Sequence, residues 1–142
     1  MNKEGKTDIA PGGSRHPLRT LIVDDSTPLL SHLRRFLDAQ AFVHVVGTAD
    51  NGSEALLKAD ELTPDLVLMD LNMPYMDGLQ ATGHLRRRQP NARIIIMTLD
   101  ETAKTKAAAR AHGAHGFVGK SRLPEDLMAE IRRVFRLTHG EI

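Results

Sequence analysis

The sequence predicts an α/β fold in which a doubly wound parallel sheet of five strands carries helices on both faces. Short apolar runs of strand length alternate five times with segments whose apolar residues recur at helical spacing. A chain of 142 residues is too short for a closed α/β barrel, which typically needs about 250 residues. Polar or charged residues also close four of the five apolar runs, where an open α/β sheet usually binds its ligands.

Composition limits the classes of function. The chain is 41% hydrophobic and carries a formal net charge of +1, which indicates one globular domain with a sizeable core. Its near-neutral charge offers no general attraction for nucleic acid, and no apolar run approaches the length of a membrane span. The N-terminus also lacks the apolar centre of a signal peptide. We therefore expect a cytoplasmic domain that binds neither nucleic acid nor membrane directly.

Cysteine and histidine usage narrows the chemistry further. The chain has no cysteine, which excludes disulfides, thiolate catalysis and cysteine-ligated zinc. None of its seven histidines has the spacing of a metal-ligand pair. His112 and His115 flank a glycine turn, and we expect both side chains to face solvent.

The ordered domain is predicted over residues 18–138. The preceding segment, residues 1–17, is polar, rich in glycine, proline and charge, and has no periodicity, so we expect a disordered tail. Residues 139–142 are predicted to form a short C-terminal tail. Between these limits the elements follow one another with short connections.

The first strand is predicted at residues 21–23, a short apolar run that ends in two aspartates. A helix should follow it, because Ser26 or Thr27 is a favourable N-cap and Pro28 suits the first turn. Apolar residues at helical spacing extend this helix to about residue 40.

Residues 42–46 are predicted to form the second strand. A turn at residues 51–52 leads into a helix marked by apolar residues over 55–62, which Pro64 ends. Residues 66–69 are all apolar, as in a strand that is buried on both faces. This third strand stops abruptly at a carboxylate.

The second half of the chain repeats the pattern. A helix over residues 79–88 ends in three arginines, which resemble a nucleic-acid patch but more simply complement the carboxyl end of the helix dipole. Residues 94–97 are the most β-branched run and predict a central strand. An alanine-rich helix at about 101–112 and a short strand at 116–119 follow. Pro124 then opens a final amphipathic helix.

Polar side chains close four of the predicted strands: Asp24 and Asp25 the first, Asp70 the third, Thr98 the fourth and Lys120 the fifth. Carboxyl ends of parallel strands meet at one edge of a sheet, so we expect these side chains to converge. Each alone has an ordinary explanation, such as helix capping or an exposed charge. Their joint placement favours a functional site.

The converging carboxylates would repel one another and therefore need a cation. A set of oxygen ligands with few protein donors fits Mg²⁺. Lys120 and the hydroxyl of Thr98 would then remain to bind an anion. Together these groups provide what phosphoryl transfer onto the carboxylate of Asp70 requires.

Four motifs in order resemble the receiver domain of two-component response regulators. They read LIVDDS at 21–26, D-x-NMP-x-x-DG at 70–78, IMT at 96–98 and GAHGFVGK at 113–120. The similarity covers about residues 18–137. It implies the flavodoxin-like strand order 2-1-3-4-5, in agreement with the count of strands and helices.

The resemblance also implies roles for the acidic residues. Asp70 would be the phospho-acceptor, and the Mg²⁺ ligands would be Asp25, Asp70 and the backbone carbonyl of Asn72, with Asp24 as an outer acidic partner. A sensor histidine kinase or a histidine phosphotransfer protein would supply the phosphoryl group. Such a domain catalyses only its own phosphorylation and autodephosphorylation, so we do not expect an enzyme that acts on a separate substrate.

The resemblance further implies that Thr98 and Phe117 form the switch pair and that Lys120 contacts the phosphate. Their movement would change the face made by the fourth helix, the last strand and the last helix. This face would bind a downstream protein partner or a second copy of the chain.

Two departures from the common receiver pattern affect these expectations. Most receivers carry a small residue after the switch threonine, whereas Leu99 is bulky and should restrict access to Asp70. Asn72 and Asp100 are the polar residues best placed to orient a hydrolytic water. Ser121 replaces a common proline, as in receivers joined to LuxR-type DNA-binding domains. Only 22 residues follow Lys120, so we expect a stand-alone or an excised receiver.

Two alternatives remain open at this stage. A Mg²⁺-dependent phosphatase of the haloacid dehalogenase type also uses an aspartate after a strand, but usually places a second carboxylate two residues later, where this chain has Asn72. It would also need a cap or substrate pocket. A degenerate receiver that only docks partners is the other possibility, and the intact acidic set argues against it.

Overall fold

The structure, a computed structural model, describes residues 16–73 and 76–136. Its five strands in this part of the chain are β1 Leu18–Val23, β2 Val43–Ala49, β3 Leu66–Asp70, β4 Arg93–Thr98 and β5 Gly116–Gly119. The helices are α1 Thr27–Asp38, α2 Gly52–Leu62, α3 Gly78–Arg88, α4 Ala103–Ala111 and α5 Glu125–Phe135, with one 3₁₀ turn at Lys120–Arg122. None of these helices is long and apolar enough to cross a membrane.

The strands pair in parallel in the order β2-β1-β3-β4-β5, which confirms the predicted sheet. Parallel strands buried on both faces are expected to be largely apolar, and β3 is buried at all five positions, while β4 is buried at every position after its first. The order places β1 and β3 side by side at the centre, so their carboxyl ends are neighbours.

Two apolar layers hold the helices against the sheet. One layer joins α1 and α5 to one face, and the other joins α2, α3 and α4 to the opposite face. The first layer includes Leu33, Leu37, Leu127 and Ile131, and the second includes Ala55, Ala59, Ala81, Leu85 and Ala109. The predicted helices on both faces are therefore confirmed.

Side-chain caps fix where most helices begin. The Ser26 side chain accepts a hydrogen bond from the backbone N–H of Leu29 at 3.3 Å, as predicted for the first helix. The hydroxyl of Thr102 likewise accepts from the N–H of Thr105 at 3.3 Å. This cap starts α4 at Ala103, two residues later than the predicted position.

Some predictions concern residues outside the described part of the chain. The N-terminal tail at 1–17 is described only at His16 and Pro17, and the C-terminal tail at 139–142 is not described at all. Pro74, the proline of the motif at 70–78, also lies outside the described residues. The domain limits therefore stay predictions.

The expectation that His115 faces solvent is wrong. This side chain is half-buried at the start of β5, and its Nδ1 accepts a hydrogen bond from the N–H of Ile94 at 3.0 Å. Pairing of the two strands begins only at Ile95 and Gly116, so the amide of Ile94 needs an acceptor beyond the ladder. Burial, aided by the charges of Arg86 and Arg93, lowers the pKa of His115 to about 4. His112 is exposed, as expected.

Replacing His115 should reduce the sensitivity of the fold to acid. The unfolded chain takes up a proton near the ordinary histidine pKa of 6.5, whereas the folded chain resists protonation down to about 4. The unfolded state thus binds more protons in this window, and the free energy of unfolding falls as the pH drops from about 6.5 to about 4. Denaturant unfolding across this range should show a shallower loss of stability for His115→Asn, which keeps an acceptor for Ile94.

His112→Asn, at the exposed histidine on the other side of Gly113, is the matched control. It should reproduce the wild-type pH profile. Identical profiles for His115→Asn and the wild type would show that this histidine does not contribute to acid lability.

Candidate functional site

Three carboxylates meet at the carboxyl edge of the sheet. Oxygen atoms of Asp24, Asp25 and Asp70 lie within 4.8 Å of one another. Asp24 is fully buried and Asp70 is 2% exposed, whereas Asp25 is exposed to solvent. They meet because β1 and β3 are adjacent parallel strands that end at the same level. The predicted convergence of the acidic residues is confirmed.

Lys120 is the cation of this cluster. It follows β5 directly, and its Nζ lies 2.6 Å from Oδ2 of Asp24 and 3.1 Å from Oδ1 of Asp70. Burial acts to lower the pKa of this lysine, but the two carboxylates outweigh burial and raise it above the ordinary value. The ammonium therefore stays charged at neutral pH.

The environment of Asp70 is set by opposing effects. Burial raises the pKa of this carboxyl, and the negative charge of Asp24 raises it further. Lys120 and a hydrogen bond from the backbone N–H of Asn72 act in the opposite direction, without cancelling the increase. Asp70 is thus a desolvated carboxylate next to one fixed cation. This environment is more typical of a nucleophile than of a residue that only forms a turn.

One buried carboxylate oxygen of Asp24 depends on its ion pair with Lys120. Its Oδ1 accepts a hydrogen bond from the backbone N–H of Ser26 at 2.8 Å. Its Oδ2 is buried and contacts Lys120 as an ion pair, but no donor among the described residues is aligned to form a hydrogen bond with it. A buried anionic oxygen of this kind, beside two further carboxylates, fits a hard divalent cation such as Mg²⁺.

The loop after β3 holds Asp70 in place through close backbone packing. The N–H of Gly78 donates to the carbonyl of Leu71 at 3.0 Å, and Asp77 caps α3 by accepting from the N–H of Gln80 at 2.9 Å. A side chain at Gly78 would overlap the backbone carbonyl oxygen of Asp70. Glycine is therefore required here for the close approach of two chain segments.

Thr98 is fully buried at the end of β4 and lines a cavity next to the cluster together with Asn72. Its Oγ1 accepts a hydrogen bond from the N–H of Asp100 at 3.1 Å, so its own proton remains available for donation. The carboxylate of Asp100 accepts from the hydroxyl of Thr105 at 2.6 Å and from the N–H of Thr102 at 3.1 Å. The Thr105 hydroxyl in particular lowers the pKa of Asp100.

The remaining predicted residues lie around this centre. Phe117 is half-buried in β5 and lines a groove between α4 and α5. Leu99 exposes 74% of its surface beside Thr98, so it stands in solvent and is not packed onto Asp70. Ser121 donates a hydrogen bond to Glu101 at 3.0 Å, a link from the end of β5 to the β4–α4 loop that proline could not form.

One protein-family model matches most of this chain, including the strand ends that form the acidic cluster. The family model described as the response regulator receiver domain matches residues 20–132. The chain belongs to this receiver family. The predicted family membership is thereby confirmed, and a receiver is a signalling domain.

Similar proteins agree with the assignment. The chain is 32% identical over 120 residues to the nitrate/nitrite response regulator protein NarL of Escherichia coli K12, covering 84% of this chain and 56% of that protein. It is 36% identical over 118 residues to the response regulator GacA of Pseudomonas aeruginosa, covering 83% and 55%. The receiver therefore spans about half the length of these curated relatives.

Solved structures show the same fold. A two-component response regulator of the LuxR family from Aurantimonas sp. SI85-9A1 superposes with a TM-score of 0.80 at 33% identity, covering 84% of this chain and 86% of that one. The response regulator domain of Thermotoga maritima CheB gives 0.78 at 30% identity, covering 87% and 99%. These neighbours confirm the predicted flavodoxin-like fold of the receiver.

Sequence reasoning did not identify two residues around the receiver's Phe117. The sequence pattern assigned no role to Lys106 or to Glu130. In the structure Lys106 lies over the Phe117 ring, and Glu130 accepts a hydrogen bond from the backbone N–H of Phe117. No local sequence signal could reveal these contacts, because they depend on how α4 and α5 pack against β5.

Gly78→Ala should destabilise the receiver and disturb Asp70. The added methyl group must displace the backbone at Asp70, and overpacking of this kind typically costs about 1–3 kcal/mol. Gly83→Ala on the same helix is the matched control, since its methyl group would have 4.0 Å of clearance. That control should raise stability by roughly 0.5–1 kcal/mol, the usual gain from replacing glycine within a helix.

Urea unfolding of both variants measures these effects. Equal stability changes for Gly78→Ala and Gly83→Ala would show that the β3–α3 loop relaxes freely and does not fix the position of Asp70.

Proposed function

We propose that this receiver is a phosphorylation-controlled switch in a two-component phosphorelay, with Asp70 as its phospho-acceptor. The observation that carries the proposal is the ammonium of Lys120, which lies between the buried carboxylates of Asp70 and Asp24. A nucleophilic carboxylate and a fixed cation are thus in contact where an incoming phosphoryl group would need both.

In the proposed reaction a carboxylate oxygen of Asp70 attacks the phosphorus of a phosphohistidine on a sensor kinase or a phosphotransfer protein. A phosphorus–oxygen bond forms, the phosphorus–nitrogen bond breaks, and its electron pair leaves with the imidazole. The product is an acyl phosphate on Asp70. Lys120 would bind one phosphoryl oxygen, and the Thr98 hydroxyl would donate its proton in a hydrogen bond to another.

We assign the Mg²⁺ site to the carboxylates of Asp24, Asp25 and Asp70 and the backbone carbonyl of Asn72. When bound, Mg²⁺ would neutralise part of the negative charge of the carboxylates and of the phosphoryl oxygens. The mutual approach of the three carboxylates and the burial of Asp24 and Asp70 support this assignment. Lys120 supplies only one positive charge, which leaves the cluster acidic.

The output would be a change on the face formed by α4, β5 and α5, here called the α4–β5–α5 face. Thr98 moving toward a phosphoryl group would give up the hydrogen bond from the N–H of Asp100 and vacate space for Phe117. Phenylalanine carries no hydroxyl, so its ring can enter without burying a polar group. The changed face would bind a downstream protein or a second copy of the receiver.

The phosphatase alternative lacks comparable support. Such phosphatases usually place a second carboxylate at the position of Asn72, and the family match over residues 20–132 is to a receiver domain. The degenerate receiver is disfavoured by the complete set of acidic residues and Lys120.

Asp70 should accept one phosphoryl group from acetyl phosphate when Mg²⁺ is present. The cluster is negatively charged, so an incoming anion requires the metal. Intact-mass measurement should show a single phosphoryl adduct that chelation of Mg²⁺ abolishes and Asp70→Asn eliminates. Asp50→Asn, at the end of β2 on the same edge of the sheet, is the control and should retain the adduct.

An unmodified mass despite demonstrated Mg²⁺ binding would contradict the proposal. Persistence of the adduct in Asp70→Asn would instead show that another residue is the phospho-acceptor.

Leu99→Ala should speed both the reaction with small phosphodonors and the loss of the phosphoryl group. We propose that the exposed leucine stands in the path of molecules that approach Asp70, since it directly follows Thr98. Phosphorylation and dephosphorylation rates can be followed by mass after mixing with, and removing, acetyl phosphate. Leu57→Ala, at the 67% exposed leucine on α2, controls for loss of surface apolar area. Rates like those of the wild type would mean that Leu99 does not restrict access.

A further inference from the structure

The ring of Phe117 is held in the groove by a cation. Nζ of Lys106 lies over the ring, 5.5 Å from its centroid, which is within the range of a cation–π interaction. Phe117 and Lys106 both line the groove between α4 and α5. The orientation seen in the structure is therefore stabilised by α4, the helix that follows Thr98.

The backbone at Phe117 is held separately, from the other helix. Its N–H donates to Oε2 of Glu130 at 2.9 Å, and Arg133 binds both oxygens of that carboxylate at 2.8 Å. Arg133 also donates to the carbonyl oxygen of His115 at 2.9 Å. Because α5 fixes the backbone of β5 here, a switch at Phe117 must proceed through rotation of its ring.

The charges around the groove keep Lys106 close to the ring. Burial acts to raise the pKa of Glu130, but the hydrogen bonds from Arg133 and Phe117, with the charges of Arg133 and Lys106, lower it overall. Glu130 is thus ionised at neutral pH and attracts the ammonium of Lys106. Glu101 and Asp126 line the same groove and add negative charge, while Arg122 and Arg133 add positive charge.

We infer that Lys106 is a positioning residue for the switch: its ammonium stabilises the groove-facing orientation of Phe117 and so opposes the inward orientation that phosphorylation would favour. This inference rests on the proposed function. Lys106 lies outside the cluster of Asp24, Asp25 and Asp70 and does not act on the phosphoryl group. It acts through the ring of Phe117 alone.

The strength of the contact between Lys106 and Phe117 depends on how exposed Lys106 is. Lys106 is exposed, and an exposed cation–π contact corresponds to about a two- to fivefold change in an equilibrium constant. If the inward orientation is the minor one before phosphorylation, removing the contact raises its population by that factor. The apparent affinity for any ligand that requires the inward orientation rises by the same factor.

The test uses Lys106→Met, which keeps the apolar stem and removes the charge. Beryllofluoride with Mg²⁺ serves as the phosphoryl analogue, and NMR signals of the Thr98 methyl group and of β5 report its binding. We expect the apparent dissociation constant to fall by about two- to fivefold, from the loss of the contact at Phe117. Simple loss of a positive charge would weaken binding of an anion, so the expected direction is distinctive.

Three further variants isolate the cause. Lys104→Met removes the same charge two residues earlier on α4 and should not increase affinity. Lys106→Arg keeps a cation over the ring and should resemble the wild type. In a Phe117→Leu background, Lys106→Met should have no effect, because the ring that the ammonium contacts is gone.

The outcomes separate this inference from the proposed function. The role of Lys106 is refuted if the wild type responds to beryllofluoride but Lys106→Met binds the analogue no more tightly than the wild type does. It is also refuted if Lys106→Met binds the analogue no more tightly than Lys104→Met does. Neither result contradicts the proposed switch. An increase in affinity that persists without the Phe117 ring also refutes the role of Lys106. If the wild-type signals at Thr98 and β5 do not respond to bound analogue, the switch itself is refuted, and the role of Lys106 with it.

Discussion

The ion pairing of Lys120 with two buried carboxylates is the interaction on which the rest of this receiver depends. Removing Asp24 and Asp70 from water is unfavourable, and placing them side by side adds repulsion. One ammonium at 2.6 Å and 3.1 Å offsets part of this cost, but it cannot neutralise a cluster that also includes Asp25. The remaining negative charge of the three carboxylates makes this edge of the sheet receptive to a divalent cation.

Sheet topology makes that interaction possible. Asp24 and Asp70 are neighbours because β1 and β3 pair, whereas Lys120 reaches them from the far side of β4. The close packing of Gly78 against the backbone of Asp70 then fixes the acceptor relative to α3. The two apolar layers hold the strand ends at one level and so offset the unfavourable desolvation of the carboxylates.

The same edge is connected to the α4–β5–α5 face through two short chains of contacts. Thr98 accepts from the N–H of Asp100, whose carboxylate belongs to the cap of α4. Phe117 is contacted by Lys106 from α4 and by Glu130 from α5. In the proposed switch, a small displacement of Thr98 would act on hydrogen bonds at the start of α4, and rotation of the Phe117 ring would change its contact with Lys106 on the same helix. Packed elements with two discrete arrangements can pass on such a change.

The sequence by itself determined the strand order, the helices on both faces and the acidic residues that meet at one edge. The helices and the meeting of the acidic residues follow from local periodicity and from residues at strand ends, because parallel strands bring their carboxyl ends together, whereas the strand order was implied by the resemblance to receiver domains. The sequence alone misplaced His115 and did not reveal the contacts of Lys106 and Glu130 with Phe117. Only the tertiary structure decided these. The Ile94 amide bonds to His115 because pairing of β4 with β5 begins one residue later, and the contacts at Phe117 arise from the packing of α4 and α5 on β5. Such contacts join residues that are distant in the chain, and no local pattern encodes them.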